Sequence, residues 1–506
     1  MFMKILFYHS CSFYKAPFCE LIDEAEKLSR EGNEVYFATC NGVMNCCFSN
    51  PTNNKYDCDV CNFSVKKSLK LLSNANIIDL KKYLVEKAYD WQYSNVTELK
   101  HVKYKEVQIG FAVVSYYISK TRNLNPKITS ETKQYFDGLL TQASRLTDAL
   151  DNLIKEIAPD KICIFNGRFF ETRPAYELAL NKNIPIDIYE LIGGRKAPYY
   201  KVIFQNSLPH NLPYLKKLIN SGWENSTKTE EEKTKIGKSF FERRRNGIEA
   251  GDKVYIGNQV AGMLPSNWDK SKKNVVIFNS SEDEFASVGD EYDKYALFPS
   301  QMEGIRSILE MHAGNDNIHF YLRIHPNLTN IKYRYHTDLY DIDKEFDNIT
   351  IIPAGEKIST YALMDEADKV IVFGSTTGIE AAYWNKPVIL LAGAIYYFDD
   401  VCYVPQTKEE LKELVETENL PSKKEEETCL KFGFYFLDTE RSISKNSYHY
   451  FNYNSYDVTF GGMTFHGTYC QKMLGSHKLY AYVIAFMRFV ALKLFKNKTV
   501  IPTEEA

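Results

Sequence analysis

At 506 residues the chain is too long for a single hydrophobic core, so two domains with appendages are expected. A hydrophobic content of 44% with 25% charged residues describes an ordinary globular chain. With 62 basic and 65 acidic residues the formal charge is −3, and no field of one sign argues for a nucleic-acid partner.

The first residues form a short apolar run, soon broken by His9, Lys15, Glu20 and Asp23, which reads as a strand over Lys4 to Tyr8. No small-residue cleavage site follows, and no stretch reaches about 18 uninterrupted apolar residues, so neither a signal peptide nor a spanning helix is expected. Eleven cysteines in such a chain are expected to be reduced thiols or metal ligands, which places the protein in the cytoplasm. A helix from Ala16 to Arg30, with Phe18, Leu21, Ile22, Ala25 and Leu28 on one face, leads to a second strand over Glu34 to Ala38. This β-α-β opening belongs to a doubly wound domain, which puts His9, Ser10 and Ser12 at its ligand crevice. No G-x-G-x-x-G follows the first strand, so the dinucleotide fingerprint is absent.

Residues 40–61 concentrate cysteine. Cys58 and Cys61 have the spacing of a metal knuckle, and with Cys40 and Cys46, or Cys47 in place of Cys46, they could enclose a structural zinc. Reduced thiols in a compact loop explain the segment equally well, and both readings stand. Helical periodicity follows from Ser68 to Tyr83 and from Ser130 to Ile157. Between them Gly110, Ser115, Lys120 and Arg122 are read as helix packing and surface charge.

A strand over Asp160 to Phe165 ends in Asn166, Gly167 and Arg168, with Arg173 before the next helix. Asn166 and the two arginines form a candidate clamp for an anionic or acceptor group. The next strand ends in Glu190, with Gly193 and Gly194 beyond it. A carboxylate at a strand end near a flexible loop is the candidate base for activating an acceptor hydroxyl. The charged stretch Ser221 to Gly251, with Arg243, Arg244 and Arg245, reads as a solvated helical linker. A domain boundary is expected between 265 and 266, before a fresh strand ending in Asn279, Ser280, Ser281 and Glu282.

The stretch from Phe320 to Gly393 carries the densest signal. One buried strand runs into His325-Pro326, and another, Lys369 to Phe373, runs into Gly374, Ser375, Thr376, Thr377 and Gly378 before a helix. Free N–H groups and hydroxyls after a parallel strand make a phosphate seat, and His325 is expected on the same carboxyl edge. Arg323 and Pro326 flank that histidine and are counted with the site. Glu380, one helical turn on, is expected to reach a ribose diol. Asp57 to Asp59 and Asp341 to Asp343 are D-x-D triplets away from any suitable strand end, so no catalytic metal is expected. Tyr396 and Tyr397 are expected at the rim. The last pattern, Leu479 to Lys498, suits a terminal helix returning to the first domain or, as a basic amphipathic helix, peripheral contact with a membrane's inner face.

The H-P step followed by G-S-T-T-G-I-E-A resembles the nucleotide-sugar half of GT-B glycosyltransferases, above all the bacterial capsular and surface-polysaccharide group with Kdo transferases and, more distantly, sialyltransferases. The resemblance implies an α/β fold of two Rossmann-like domains facing a central cleft. Residues 1–265 would form the acceptor side, 266–440 the nucleotide-sugar side, and 441–506 an aromatic segment with a helix packing back on domain one. It implies that His325, Ser375 and Thr376 hold the donor's phosphate and that Ser280, Ser281 and Glu282 face the donor. A similar N-G-R, R-P and E pattern occurs in the group's first domain, here Asn166 to Arg168, Arg173-Pro174 and Glu190. The activity implied is metal-independent transfer of a sugar from a nucleotide-sugar donor, CMP-linked among the candidates, to a growing glycan or lipid-linked acceptor. An epimerase or glycerophosphate transferase of the same fold, and a non-catalytic glycan-binding protein, are the alternatives.

Overall fold

The helix Ser130–Ile157 forms over the residues its periodicity predicts. A capping box closes its first turn: the Thr129 hydroxyl accepts from the Thr132 N–H at 3.3 Å, and the Thr132 hydroxyl accepts from the Thr129 N–H at 2.8 Å. Leu139, Leu140, Ala143, Leu146, Leu150 and Leu153 are buried along one face, each leucine contributing roughly 1.5–3 kcal/mol of transfer free energy. The computed structural model describes residues 2–10, 15–51, 53–192, 200–251, 254–329, 331–438, 453–460, 463–470, 486, 490 and 501–502.

Two α/β units divide the chain, one of Met1–Pro209 with Thr439–Glu505 and one of His210–Asp438. In the first, strands Lys4–His9 (β1), Glu34–Thr39 (β2), Asn76–Asp79 (β3), Lys161–Phe165 (β4), Ile186–Ile192 (β5) and Tyr200–Gln205 (β6) form a sheet in the order β3-β2-β1-β4-β5-β6. All neighbours are parallel except β5 and β6. Strand order reverses at β1, so the crevice outside the carboxyl ends of β1 and β4 is this unit's switch point. β3 lies inside a stretch read as helix: Ile77 and Ile78 are β-branched, and the open edge of β2 accepts them.

In the second unit, Lys273–Phe278 (β7), Ile318–Arg323 (β8), Ile349–Ile352 (β9), Lys369–Val372 (β10) and Val388–Leu390 (β11) form an all-parallel sheet in the order β11-β10-β7-β8-β9. Its core gathers Val275, Ile277, Phe320, Leu322, Ile371 and Ile389. Here order reverses at β7.

The second unit begins well before the expected boundary at 265. The helix Glu230–Arg245, read as a solvated linker, buries Phe240, Phe241 and Arg244. It packs on the helix Glu426–Leu437, with Phe240 and Phe432 edge to face at 5.6 Å. The charge run is therefore one face of an amphipathic helix.

Strands Tyr453–Phe460 (β12) and Met463–Cys470 (β13) pair antiparallel within the aromatic segment assigned to the first unit. The Tyr117 hydroxyl, also in that unit, donates to the Pro502 carbonyl at 2.8 Å. The expected terminal helix, save Phe486 and Val490, lies outside the described residues, as do Ser12, Gly193 and Gly194. Among the described residues no helix is long and apolar enough to cross a membrane.

Candidate active site

In the second unit three strand ends are level, because Phe278 of β7 pairs in register with Val372 of β10 on one side and with Arg323 of β8 on the other. The loops starting at Asn279, Ile324 and Phe373 thus leave one edge together. The ends of β8 and β10 lie two strand spacings apart, roughly 9.5 Å, on either side of β7.

Asn279 ties two of these loops, its Oδ1 accepting the His325 backbone N–H at 2.8 Å. The His325 ring is oriented by its own turn: Nδ1 accepts from the Asn327 N–H at 3.2 Å, so the neutral ring carries its proton on Nε2. Tyr255 packs edge-on to that ring, with centroids 5.2 Å apart. Pro326 opens the short 3-10 turn that follows. Arg323, expected at the ligand, is buried and donates to the carbonyls of Pro353 (2.9 Å) and Glu356 (3.1 Å), so it braces the loop after β9.

After β10, Gly374 adopts φ +80°, and a Cβ there would lie 2.6 Å from the Gly393 carbonyl oxygen, so this sharp exit needs glycine. The Ser375 hydroxyl donates to Thr377 Oγ1 at 3.1 Å and accepts the Thr377 N–H at 3.3 Å. Ser375 is buried, whereas Thr376 and Thr377 are half-exposed. Tyr396 lies beneath the turn rather than at its rim: it is 2% exposed and its hydroxyl donates to the Ser375 carbonyl.

Glu380, expected to reach a ribose, is turned inward. One carboxylate oxygen accepts from Arg244 Nε at 2.9 Å and the other from the Tyr361 hydroxyl, and Glu380 is 4% exposed. Beside β7, Ser280 exchanges hydrogen bonds with the Gln301 side chain: the Ser280 N–H donates to Oε1 and Nε2 donates to the Ser280 hydroxyl, both at 2.9 Å. Ser281 donates to Asp283 at 2.8 Å. Burial pushes the Glu282 carboxyl up to about 7, against a bond from the Gln301 N–H, with Glu303 and Asp283 adding to the rise. Asn279, Ser280, Glu282, Gln301 and His336 share the wall of one small pocket.

In the first unit the turn after β4 sets Asn166 (φ +65°) and Gly167 (φ +77°) in left-handed conformations. Asn166 Nδ2 donates to Glu190 Oε1 at 2.6 Å. Burial raises the Glu190 carboxyl to about 7, opposed by the bond from Asn166, the Leu191 N–H and the Arg168 charge. A carboxyl balanced there is suited to accept a proton at neutral pH. The two arginines of the expected clamp are both buried. Arg168 donates to the Ser115 hydroxyl, and Arg173, 1% exposed, bonds Glu177 and, at 3.1 Å, Gln108. Glu171 and Gln301 carried no recognisable spacing, and only the fold brings them to strand ends.

The cysteines gather without forming a knuckle. Cys58 and Cys61 sit one turn apart on the helix Lys55–Ser68, and with Cys40, Cys46 and Cys47 they line one cavity. Asn50 Nδ2 donates to the Cys58 sulfur at 3.2 Å. Burial pushes Cys40 up to about 11 and Cys46 up to about 12. Among the described residues no three His, Cys, Asp or Glu side chains are grouped to hold a metal ion.

No curated protein matches the chain. Among solved structures it is similar to the β-Kdo 2,4-transferase of KpsC from Thermosulfurimonas dismutans, at 13% identity over 55% of this chain and 79% of that one, with a TM-score of 0.35. The β-Kdo 2,7-transferase of the same KpsC shows 14% identity over 69% and 89%, with a TM-score of 0.31. A UDP-GlcNAc 2-epimerase from Neisseria meningitidis shows 12% identity over 88% and 98%, with a TM-score of 0.27. Likenesses at these values bear on neither activity nor ligand. Residues 274–418, which hold β7 to β11 and all three level strand ends, match the family of capsule polysaccharide biosynthesis proteins.

Proposed function

We propose that the protein is a glycosyltransferase of capsule or surface-polysaccharide synthesis that takes its sugar from a nucleotide donor, with CMP-linked sugars among the candidates. The observation that carries this reading is the level exit of three strands at the second unit's switch point, within residues 274–418, with the oriented His325 on one side of β7 and the hydroxyls of Ser375 to Thr377 on the other. At roughly 9.5 Å apart the two sides suit an extended group, a phosphate with its ribose or sugar, better than one shared oxygen.

In the proposed reaction an acceptor hydroxyl oxygen forms a bond to the anomeric carbon as that carbon's bond to the phosphate oxygen breaks. The bonding pair leaves with the phosphate, whose growing charge is met by His325 Nε2–H and the Ser375–Thr377 turn. The acceptor's proton goes to Glu190, held by Asn166. Charge stabilisation by these groups takes the place of a catalytic metal ion in this scheme.

Melting the full chain with CMP-, UDP-, GDP- and CDP-linked sugars tests the donor. One class should raise Tm, since about 2.7 kcal/mol is gained at a hundredfold excess over Kd. No response from any class contradicts the reading, and isomerisation of the free donor without acceptor would replace transfer by epimerisation.

The base has its own pH signature. A carboxyl raised to about 7 is protonated below that pH, so kcat/KM should fall as pH drops through about 7. Asn166 favours the ionised form, so Asn166→Ala should move this acid limb to higher pH. A limb that stays in place or moves down rules Glu190 out as the base.

A further inference from the structure

The loops after β10 and β11 are joined at successive points. The Leu391 N–H donates to the Val372 carbonyl at 2.9 Å, and Gly374 passes the Gly393 carbonyl only because it lacks a Cβ. One residue on, the Tyr396 hydroxyl donates to the Ser375 carbonyl. The same oxygen faces the backbone N–H groups of Gly378 and Ile379. Tyr396 comes so close that a Cβ at Gly378 would collide with its hydroxyl and lie 2.8 Å from Val372 Cγ2. Gly378 lies within the helix Thr377–Tyr383 and outside the left-handed region, so glycine is needed there for the approach of Tyr396 and not for a bent backbone.

The first N–H groups of a helix find no partner within it. Here they are met from inside the protein. The Thr377 N–H donates to Ser375 Oγ at 3.3 Å, the Gly378 N–H donates to the Ser375 carbonyl at 3.0 Å, and the Ile379 N–H faces the Tyr396 hydroxyl. What the turn leaves outward is hydroxyls. Thr376 and Thr377 are half-exposed, and because Thr377 Oγ1 accepts from Ser375, its own proton remains for a ligand oxygen. Tyr396 is 2% exposed, and burial holds its phenol well above its ordinary pKa, so the proton bridging to Ser375 is kept at neutral pH.

We infer that Tyr396 is the positioning residue of the phosphate seat. Its buried hydroxyl ties the Ser375 carbonyl and the helix's first N–H groups from below, so that a ligand meets the Thr376 and Thr377 hydroxyls and not the helix end. This role rests on the reading of the turn as the donor's phosphate seat. It deepens that reading by separating the groups that face the phosphate from the one that holds them.

Calorimetric titration of the full chain with CMP, CDP, UDP and GDP, the leaving groups of the candidate donors, tests the role. At least one should bind the parent. Tyr396→Phe, which keeps the ring and removes the hydroxyl, should weaken that nucleotide about tenfold, and Thr377→Val should do the same. Because Tyr396 acts through the turn, adding Tyr396→Phe to Thr377→Val should cost less than about threefold more. Ile389→Val, a core change in the neighbouring β11, shows what loss of stability alone does and should leave Kd within about twofold. Amide hydrogen exchange reads the contact without ligand: Ile379 should lose about tenfold or more of its protection in Tyr396→Phe, while Val372 in β10 changes little. Parental affinity in Tyr396→Phe, an equal loss in both backgrounds, a matching loss in Ile389→Val, or an Ile379 amide that exchanges as in the parent overturns the role. If none of the four nucleotides binds the parent, the reading of the seat falls and the role with it. A nucleotide that binds the parent and Tyr396→Phe alike removes the role alone.

Discussion

Replacing His325 with alanine is expected to lower kcat/KM for sugar transfer by about 10²- to 10³-fold, the usual effect of removing one preorganised donor from a site where negative charge develops. Two bonds fix this donor before any ligand arrives: the backbone N–H is held by Asn279 at 2.8 Å, and Nδ1 is held by the Asn327 N–H at 3.2 Å. The proton on Nε2 needs no tautomer change to meet a phosphate oxygen. Neither bond is part of the hydrophobic core, and His325 is half-exposed, so the variant should melt within about 0.5 kcal/mol of the parent. Near-parental turnover by a folded His325→Ala protein would show that the phosphate is held elsewhere.

Arg244→Met is expected to have the largest effect on stability. The Arg244 and Glu380 side chains pair at 2.9 Å and are 11% and 5% exposed. Removing the guanidinium leaves a carboxylate buried beside the Tyr361 hydroxyl alone, and losing one partner of such a pair costs about 3–5 kcal/mol. For a unit of this size that is a fall in Tm of roughly 10 °C. Adding Glu380→Gln to Arg244→Met should recover part of the loss, because the uncompensated charge is gone. The same pair separates two roles for Glu380. If it braces the short helix Thr377–Tyr383, Glu380→Gln lowers Tm, and donor affinity changes only as the turn loosens. A carboxylate that instead held a ribose would, as glutamine, leave Tm in place and weaken the donor directly.

The parallel strands were legible because a sheet covered on both faces leaves short β-branched runs that end in polar residues. Lys4 to Tyr8, Asp160 to Phe165 and Lys369 to Phe373 all lie within a residue or two of strands in the structure. Strand order in the structure then fixes which loops share an edge, and those after β7, β8 and β10, which hold Asn279, His325 and the Ser375–Thr377 turn, leave it together. The directions of long charged side chains were not legible. Arg168 meets Ser115 across 53 residues and Arg244 meets Glu380 across 136, separations that carry no local pattern. Arg173 and Glu177 are different: an i,i+4 pair on one helix could have been read as an internal ion pair. The charged helix Glu230–Arg245 was misread because its charges outnumber its apolar residues, although Phe240, Phe241 and Arg244 fall on one face. Glu171 escaped notice because its partners come from the ends of different elements, Ser10 after β1 and Phe48 in the cysteine-rich loop.

The most direct measurement is ¹⁵N NMR of the chain labelled at its ten histidines, titrated with whichever nucleotide stabilises it and assigned by loss of one ring signal in His325→Ala. Saturation should shift the His325 Nε2 resonance as it donates to phosphate, while Nδ1 keeps the signature of an acceptor. A chain saturated with nucleotide whose His325 Nε2 resonance has not moved would contradict a phosphate seat at the carboxyl edge of β7, β8 and β10.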